Sequence, residues 1–476
     1  MDWLSQAIEA VAGDVLSVYD AYVNNFKHGS AGTDADVAVW RVRVACVAML
    51  EGATYPIISF AEKELIRISD PSDPPEKSAH PFSLQDMTDW LNTVEAAPDP
   101  NGIPWSRPVR FKQLSLGAAL RRYFWEFNPH LVDIYLEWFD QLAAGLSRYR
   151  DGSDALARLA ERIIDQTVDS GEGADLLLLA QRWMERPERP HRVAATMALR
   201  RGLDDERASV LFRQAFYDWS RDSRLPPHAA SLLIGLCKEL AVDHPDAAIT
   251  RLWHFMAHPE RRVGSAAADS MMPLGRSAEN YTKVLNKIMT YLAERAAAVA
   301  LTAFSDLPKD DNRYERRTSR AVEIFLELTE TDRLQKVYPD AFNDPARETT
   351  SAPILSPELR SGRPIVETLT LAWRVALAVG RPWALVPRLK DWLTAADRPG
   401  RIHILDILVD ACGNRLKLRN MLTNQAWAAT MAWGGDPALE RIYEELLDRL
   451  ISAAEATGPD GNEIVNSDQT EKTAEK

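Results

Sequence analysis

Along most of this chain, apolar residues recur at three- and four-residue steps, the period of an amphipathic α-helix. Leu4, Ile8, Val11, Val15, Val18 and Tyr22 form one such stripe and predict a helix over 2–26, ended by Gly29 and Gly32. The same period predicts helices over 34–50 and 56–67. Ser83 to Val94 reads as a short helix with Ser83 as N-cap. Residues 114–127 and 129–148 predict a helix pair, with Pro129 placed where a helix can begin. Leu131, Ile134, Tyr135, Trp138, Phe139 and Leu142 share one face of its second member, and so aromatic a stripe reads as core.

Turn formers interrupt the pattern at a few places. Ser69 to Pro75 opens a loop over 69–81, and four prolines over 96–108 predict a linker or extended arm crossing the surface. Asn343-Asp344-Pro345 to Ser356-Pro357 marks a second long loop, and 456–476 is polar, acidic and free of aromatics, which predicts a disordered tail. The expected organisation is therefore N-terminal helices over 1–68, a loop-rich insertion over 69–112, helical repeats over 113–342, a linker over 343–364, a second helical block over 365–452, and a tail over 453–476.

From residue 153 onward a unit repeats. Prolines at 190, 227 and 259 mark turns spaced 37 and 32 residues apart, a period expected of stacked helix pairs. Gln181-Arg182-Trp183-Met184 precedes Pro187 and then Arg192-Val193-Ala194-Ala195. His254-Phe255-Met256 precedes Pro259 and then Arg262-Val263-Gly264-Ser265-Ala266-Ala267. Asp391-Trp392-Leu393 precedes Pro399 and then Arg401-Ile402-His403-Ile404, and Arg43-Val44-Ala45-Cys46 is a further copy of the second half. In each unit a helix ends on a large apolar residue, a polar turn reverses the chain, and a second helix opens with Arg-Val or Arg-Ile. The alanines allow close helix approach, and the arginine near the turn is expected to hydrogen-bond carbonyls at the end of an adjoining helix.

This unit resembles the HEAT repeat family, most clearly over 153–307 and more weakly over 37–67 and 365–450. The resemblance implies an all-α fold, an α-solenoid of HEAT-like helical hairpins with a small non-repeat insertion near 69–112, and a binding role rather than a reaction. A second segment, Arg110-Phe111 through Leu120-Arg121-Arg122-Tyr123-Phe124-Trp125-Glu126-Phe127-Asn128-Pro129 and Tyr135-Leu136-Glu137-Trp138-Phe139, resembles part of large actinobacterial proteins in which a P-loop NTPase precedes helical repeats. That likeness implies a bacterial, stand-alone regulatory arm, since no GxxxxGK[ST] occurs in this chain.

Charge narrows the partner. The formal net charge of −13 disfavours general binding to a phosphate backbone and leaves only a local basic patch for it. Arg107, Arg110, Lys112, Arg121 and Arg122 form such a patch, with no acid between 107 and 122 and with Tyr123, Phe124 and Trp125 following. Basic residues beside aromatics can hold phosphates and stack bases, and HEAT-like arrays resembling the alkylpurine DNA glycosylases hold DNA in a basic groove. The bland alternative is a solvated face over a core helix. Ten arginines over 182–224 are interspersed with seven acids, which predicts ion pairs on exposed helix faces. The second helices of the units, 190–201, 227–238 and 260–271, should supply a partner face, with Arg192, Arg200, Arg201, Arg261 and Arg262 as candidate contacts.

Nothing in the chain predicts catalysis or a cofactor. Cys46, Cys237 and Cys412 are isolated in apolar helical contexts and read as buried, inert thiols. His254 and His258 lie four apart, so one helix face carries both, but no Glu adjoins the first and they read as helix-end histidines. Asp204-Asp205-Glu206 and Asp310-Asp311 fall in turns and read as caps. The start of the chain lacks the pattern of a signal peptide and no stretch is apolar enough to predict a membrane span, so the cytoplasm is the expected location, where the sequon Asn280-Tyr281-Thr282 carries no meaning. A non-catalytic protein-binding scaffold is the leading expectation.

Overall fold

A computed structural model describes residues 34–69, 86–100, 103, 106–113, 116–127, 131–171, 173–301, 312–338, 365–398, 401, 403–431 and 436–456. The predicted helix over 2–26, the linker over 343–364 and the tail from 457 lie outside the described residues, as does the proposed cap Ser83. The chain divides into two compact units, Met1–Trp219 and Ser220–Lys476. The fold is all-α, with one small two-stranded ribbon.

In the first unit, α1 (Asp34–Leu50) packs on α2 (Tyr55–Ser69), on α4 (Leu116–Phe127) and on α6 (Gly152–Asp169), while α2 packs on α5 (Leu131–Gly145). Between them lie α3 (Met87–Thr93) and the antiparallel strands β1 (Ala96–Pro98) and β2 (Val109–Phe111). Asp86 caps α3 by accepting the Thr88 N–H at 2.7 Å. The stretch expected to cross the surface as a proline-rich arm, 96–108, instead opens with β1, and β2 follows directly after it. Val109 is fully buried and exchanges backbone hydrogen bonds with Gly52 and Ala53, so the insertion is sewn to the turn after α1. Gly52 takes a positive φ of 88° there, a conformation that strains residues with a Cβ.

Helices α7 (Gly173–Met184) and α8 (Arg189–Asp204) continue the unit, with α8 on both α6 and α7. The first helix of this pair buries Trp183 and the second buries Ala194, Ala195, Ala198 and Gly202, so small residues permit the close approach that the alanine pattern predicts. Asp140 of α5 ties the layers together: it accepts from Arg182 at 3.1 Å and lies 2.8 Å from the Nε2 of buried His191. Burial pushes the Asp140 carboxyl up, but the hydrogen bonds from His191 and Arg182 outweigh it and hold it below the ordinary carboxylate range. Helix α9 (Ser209–Arg221) follows, and Asp205 caps it by accepting the Arg207 and Ala208 N–H groups.

In the second unit most helices pack on the next helix or the next but one. Helix α10 (Pro227–Asp243) packs on α11 (Pro245–Phe255) and on α12 (Arg261–Arg276), and α12 packs on α13 (Tyr281–Leu301) and α14 (Asn312–Leu328). The short α15 (Thr331–Val337) follows. Then α16 (Ile365–Val379), α17 (Pro382–Ala396), α18 (Ile404–Cys412), α19 (Leu416–Met431) and α20 (Pro437–Ala456) each pack on the next helix or the next but one, and often on both. Trp373 and Trp392, both fully buried, meet edge to face with centroids 4.9 Å apart, and the Trp392 indole N–H donates to the Thr329 carbonyl at 3.0 Å.

One device recurs in both units. Arginines donate to carbonyls at the C-terminal ends of helices, where the last four lack intrahelical partners. At the end of α1, Arg121 donates to Ala48, Arg162 to Met49 and Glu51, and Arg158 to Gly52. At the end of α11, Arg320 donates to Met256, and it also reaches Arg261 at the start of α12 while Arg316 reaches Pro259 in the turn between them. Arg333 caps α12, Arg388 caps α14 and Arg374 caps α18. The sequence assigned this role to the arginine of the Arg-Val step, and the structure moves it. Arg192 and Arg262 are exposed, Arg43 pairs with Glu62 at 2.7 Å, and the caps come from arginines on other helices whose side chains reach the end carbonyls. Gly264 belongs to this arrangement: a Cβ there would collide with the Arg320 guanidinium.

Candidate functional site

The predicted basic residues near 107–122 are dispersed among internal partners. Arg107 is half-buried and Arg110 is exposed on β2. Lys112 reaches Asn92 at 3.2 Å and Glu95 at 3.9 Å. Arg121 faces the end of α1 with Glu51 at 3.7 Å, and Arg122 pairs along its own helix with Glu126 at 2.7 Å. The three arginines at the end of α1 crowd one another. Burial, then the neighbouring Arg121, pushes Arg162 down to about 10, which still leaves it charged at neutral pH.

The predicted partner contacts are placed on open helix faces. Arg192, Arg200 and Arg201 are exposed on α8, beside the exposed apolar Val193. Arg261 and Arg262 are exposed in the first turn of α12. Of the histidine pair, His258 is in structural use. Buried His258 donates from Nε2 to the Leu225 carbonyl at 3.0 Å and accepts the Glu260 N–H at Nδ1 at 3.1 Å, so both its ring nitrogens are occupied. No cluster of three metal-ligating side chains occurs among the described residues. Cys46, Cys237 and Cys412 are buried free thiols, and burial pushes Cys237 and Cys412 up to about 12.

A site the sequence did not single out lies within the second unit. Helices α11 and α13 flank a groove of about 510 Å³, within the range of small-ligand and peptide sites. Thr282, Asn286 and Thr290 line it at four-residue steps on α13, with Lys283 and Lys287 beside them. Asp246, Thr250 and Trp253 line the α11 side. Lys283 meets Asp246 at 3.1 Å near the start of both helices, and Trp253 meets Tyr291 edge to face at 4.8 Å further along, so the two walls run parallel. Arg317 lies 5.2 Å over the Trp253 ring and Arg295 5.5 Å over Tyr291, and the acid Glu294 lines the groove at the same end. Tyr338 donates to the Asn286 carboxamide oxygen at 2.5 Å and fixes which way that amide faces.

The groove has a physical cause. By contrast with α17 and α19, which pack directly, α13 offers α11 hydroxyls, an amide and ammonium groups. Closing that gap would take these groups out of water without partners, at about 1–3 kcal/mol each. The legible signal was a polar stripe at 282, 286 and 290, where a helix facing a neighbour should carry apolar residues. It was masked because 280–282 reads as an irrelevant sequon and because periodicity does not say which face meets which helix. The arrangement supplies hydrogen-bonding groups, cations and an aromatic wall, the chemistry of recognition. No family model and no curated protein matches this chain.

Proposed function

We propose that this chain is a non-catalytic, HEAT-like helical-repeat scaffold that binds a protein partner in the cytoplasm. The observation that supports this reading is the helix-on-helix packing within each unit, in the second mainly between a helix and the next or the next but one, with one face of helices such as α8 and α12 left open. On α8 that face combines Arg192, Arg200 and Arg201 with exposed Val193, and on α12 it carries Arg261 and Arg262. Arginine beside apolar surface is the composition of protein interfaces. The engagement of Lys112, Arg121 and Arg122 with this chain's own acceptors favours a protein over a nucleic acid at the 107–122 segment.

The test is photo-crosslinking from position 192 or 262 in the native cell. Crosslinks to one protein, lost in the charge-reversed variants Arg192→Glu and Arg262→Glu, support the reading. Turnover of a small substrate by the purified chain, or tight low-salt binding to duplex DNA with a steep salt dependence, overturns it.

A further inference from the structure

We propose that a second copy of this chain docks on the outer face of α19 and α20, so that the protein pairs with itself about a two-fold axis. The exposed apolar residues of this helix pair lie along one seam. On α19, Leu416 (71% exposed), Trp427 (48%) and Met431 share a face, since steps of eleven and four residues return a helix to nearly the same side. The Trp427 ring meets Tyr443 of α20 with centroids 5.4 Å apart, which fixes the relative level of the two helices. They run antiparallel across a short connection, so Leu416 and Lys417 stand level with positions 454 and 453, about one turn from Ile451 (55% exposed). The seam runs about 22 Å, from Leu416 and Ile451 at one end to Trp427 and Met431 at the other. Single exposed apolar residues are ordinary on a protein surface, but a strip of them that includes a half-exposed tryptophan is the composition of an interface.

Charge selects a second copy and its orientation. Helix α19 carries Lys417 and Arg419 and no acid. Helix α20 carries Glu440, Glu444, Glu445, Asp448 and Glu455 against two arginines, and both arginines are held within this chain: Arg441 by Asp397 at 3.5 Å and Arg449 by Glu445 at 2.8 Å. Lys417, Glu444, Asp448 and Glu455 are exposed and make no ion pair among the described residues. A two-fold axis along the seam lays the basic α19 of each copy over the acidic α20 of the other. It sets Leu416 against the partner's Ile451 and Lys417 opposite the partner's Glu455, each contact made twice. An axis across the seam instead lays α20 on α20 and stacks like charges, which is unfavourable. Asn420 and Asn424, exposed between Leu416 and Trp427, are polar groups of the kind that fix register at a cost in affinity. A face of this length and two helices wide buries roughly 600 Å² per partner, the low end of stable interfaces, and fits a reversible dimer of about micromolar affinity.

The experiment is sedimentation equilibrium of the full-length chain up to about 100 μM, well above the expected dissociation constant. Expected is a reversible monomer–dimer equilibrium, weakened about tenfold or more by Leu416→Glu and by each of Lys417→Glu and Glu455→Lys. The two charge-reversed chains, once mixed, should form a heterodimer about as tight as the wild-type dimer, because each supplies the sign the other lacks at both symmetric contacts. Recovery on mixing separates an interface effect from loss of fold, which thermal melting of the dilute variants also checks. A chain that stays monomeric throughout, a dimer indifferent to Leu416→Glu, or charge-reversed chains that do not recover on mixing would each overturn the inference. The scaffold reading rests on the faces of α8 and α12 and is tested apart from it.

Discussion

Basic residues meet two different settings in this molecule. At the end of α1, Arg121, Arg158 and Arg162 converge on the carbonyls of Ala48, Met49, Glu51 and Gly52, and their charge is absorbed by the protein's own acceptors. In the groove of the second unit, Lys283 and Lys287 stand with the acids Asp246 and Glu294 beside hydroxyls and an aromatic wall, and exposed Lys283 pairs with Asp246 at 3.1 Å. The side chains suit the tasks. A planar guanidinium presents donors in a fixed fork that can bridge two helix-end carbonyls, whereas an ammonium is a compact, well-hydrated charge that tolerates exposure and exchanges partners. Density of basic residues in the sequence is therefore a poor guide to a binding surface, because the acceptors within reach decide whether the charge is available.

The largest expected effect breaks the closed region. Arg162→Met leaves the Met49 and Glu51 carbonyls without their donor and should lower stability by about 2–4 kcal/mol, read by denaturant unfolding. Next comes Asp140→Asn, which weakens the bonds to His191 and Arg182 at a cost of about 2 kcal/mol at neutral pH. Because the folded Asp140 carboxyl is held below its unfolded value of about 3.9, its contribution is fully present above that pH and lost as pH falls through the folded value. The melting difference between wild type and Asp140→Asn should therefore shrink under acid. A difference that holds constant to low pH would remove the charged carboxylate from the account.

Salt sharpens the contrast. Raising ionic strength should weaken the exposed Lys283–Asp246 pair of the groove, while the stability lost in Arg162→Met should hardly move. The smallest effect is expected from Lys283→Ala, within about 1 kcal/mol of wild-type stability, since its partner Asp246 is largely exposed. A larger loss would show that the groove wall is structural.

Much of the architecture was legible in the chain. The three- and four-residue steps over 34–50 and 56–67 place α1 and α2 within a residue or two, and the alanine runs after Arg192 and Arg262 put Ala194, Ala195, Ala198 and Ala267 on the buried faces of α8 and α12. The ribbon over 96–111 was not legible, because its strands are three residues each and its pairing depends on Gly52 and Ala53, more than forty residues away. The choice of capping arginines was equally hidden, since any of several arginines satisfies the local pattern.

What the sequence determined by itself is the all-helical character, because a helix's period and its internal hydrogen bonds are local properties written at spacings of three and four. Which arginines are silenced at helix ends, and that a Thr-Asn-Thr stripe faces a tryptophan across a gap, were decided only by the tertiary packing. Those are relations between surfaces far apart in the chain, and only folding brings them within hydrogen-bonding distance.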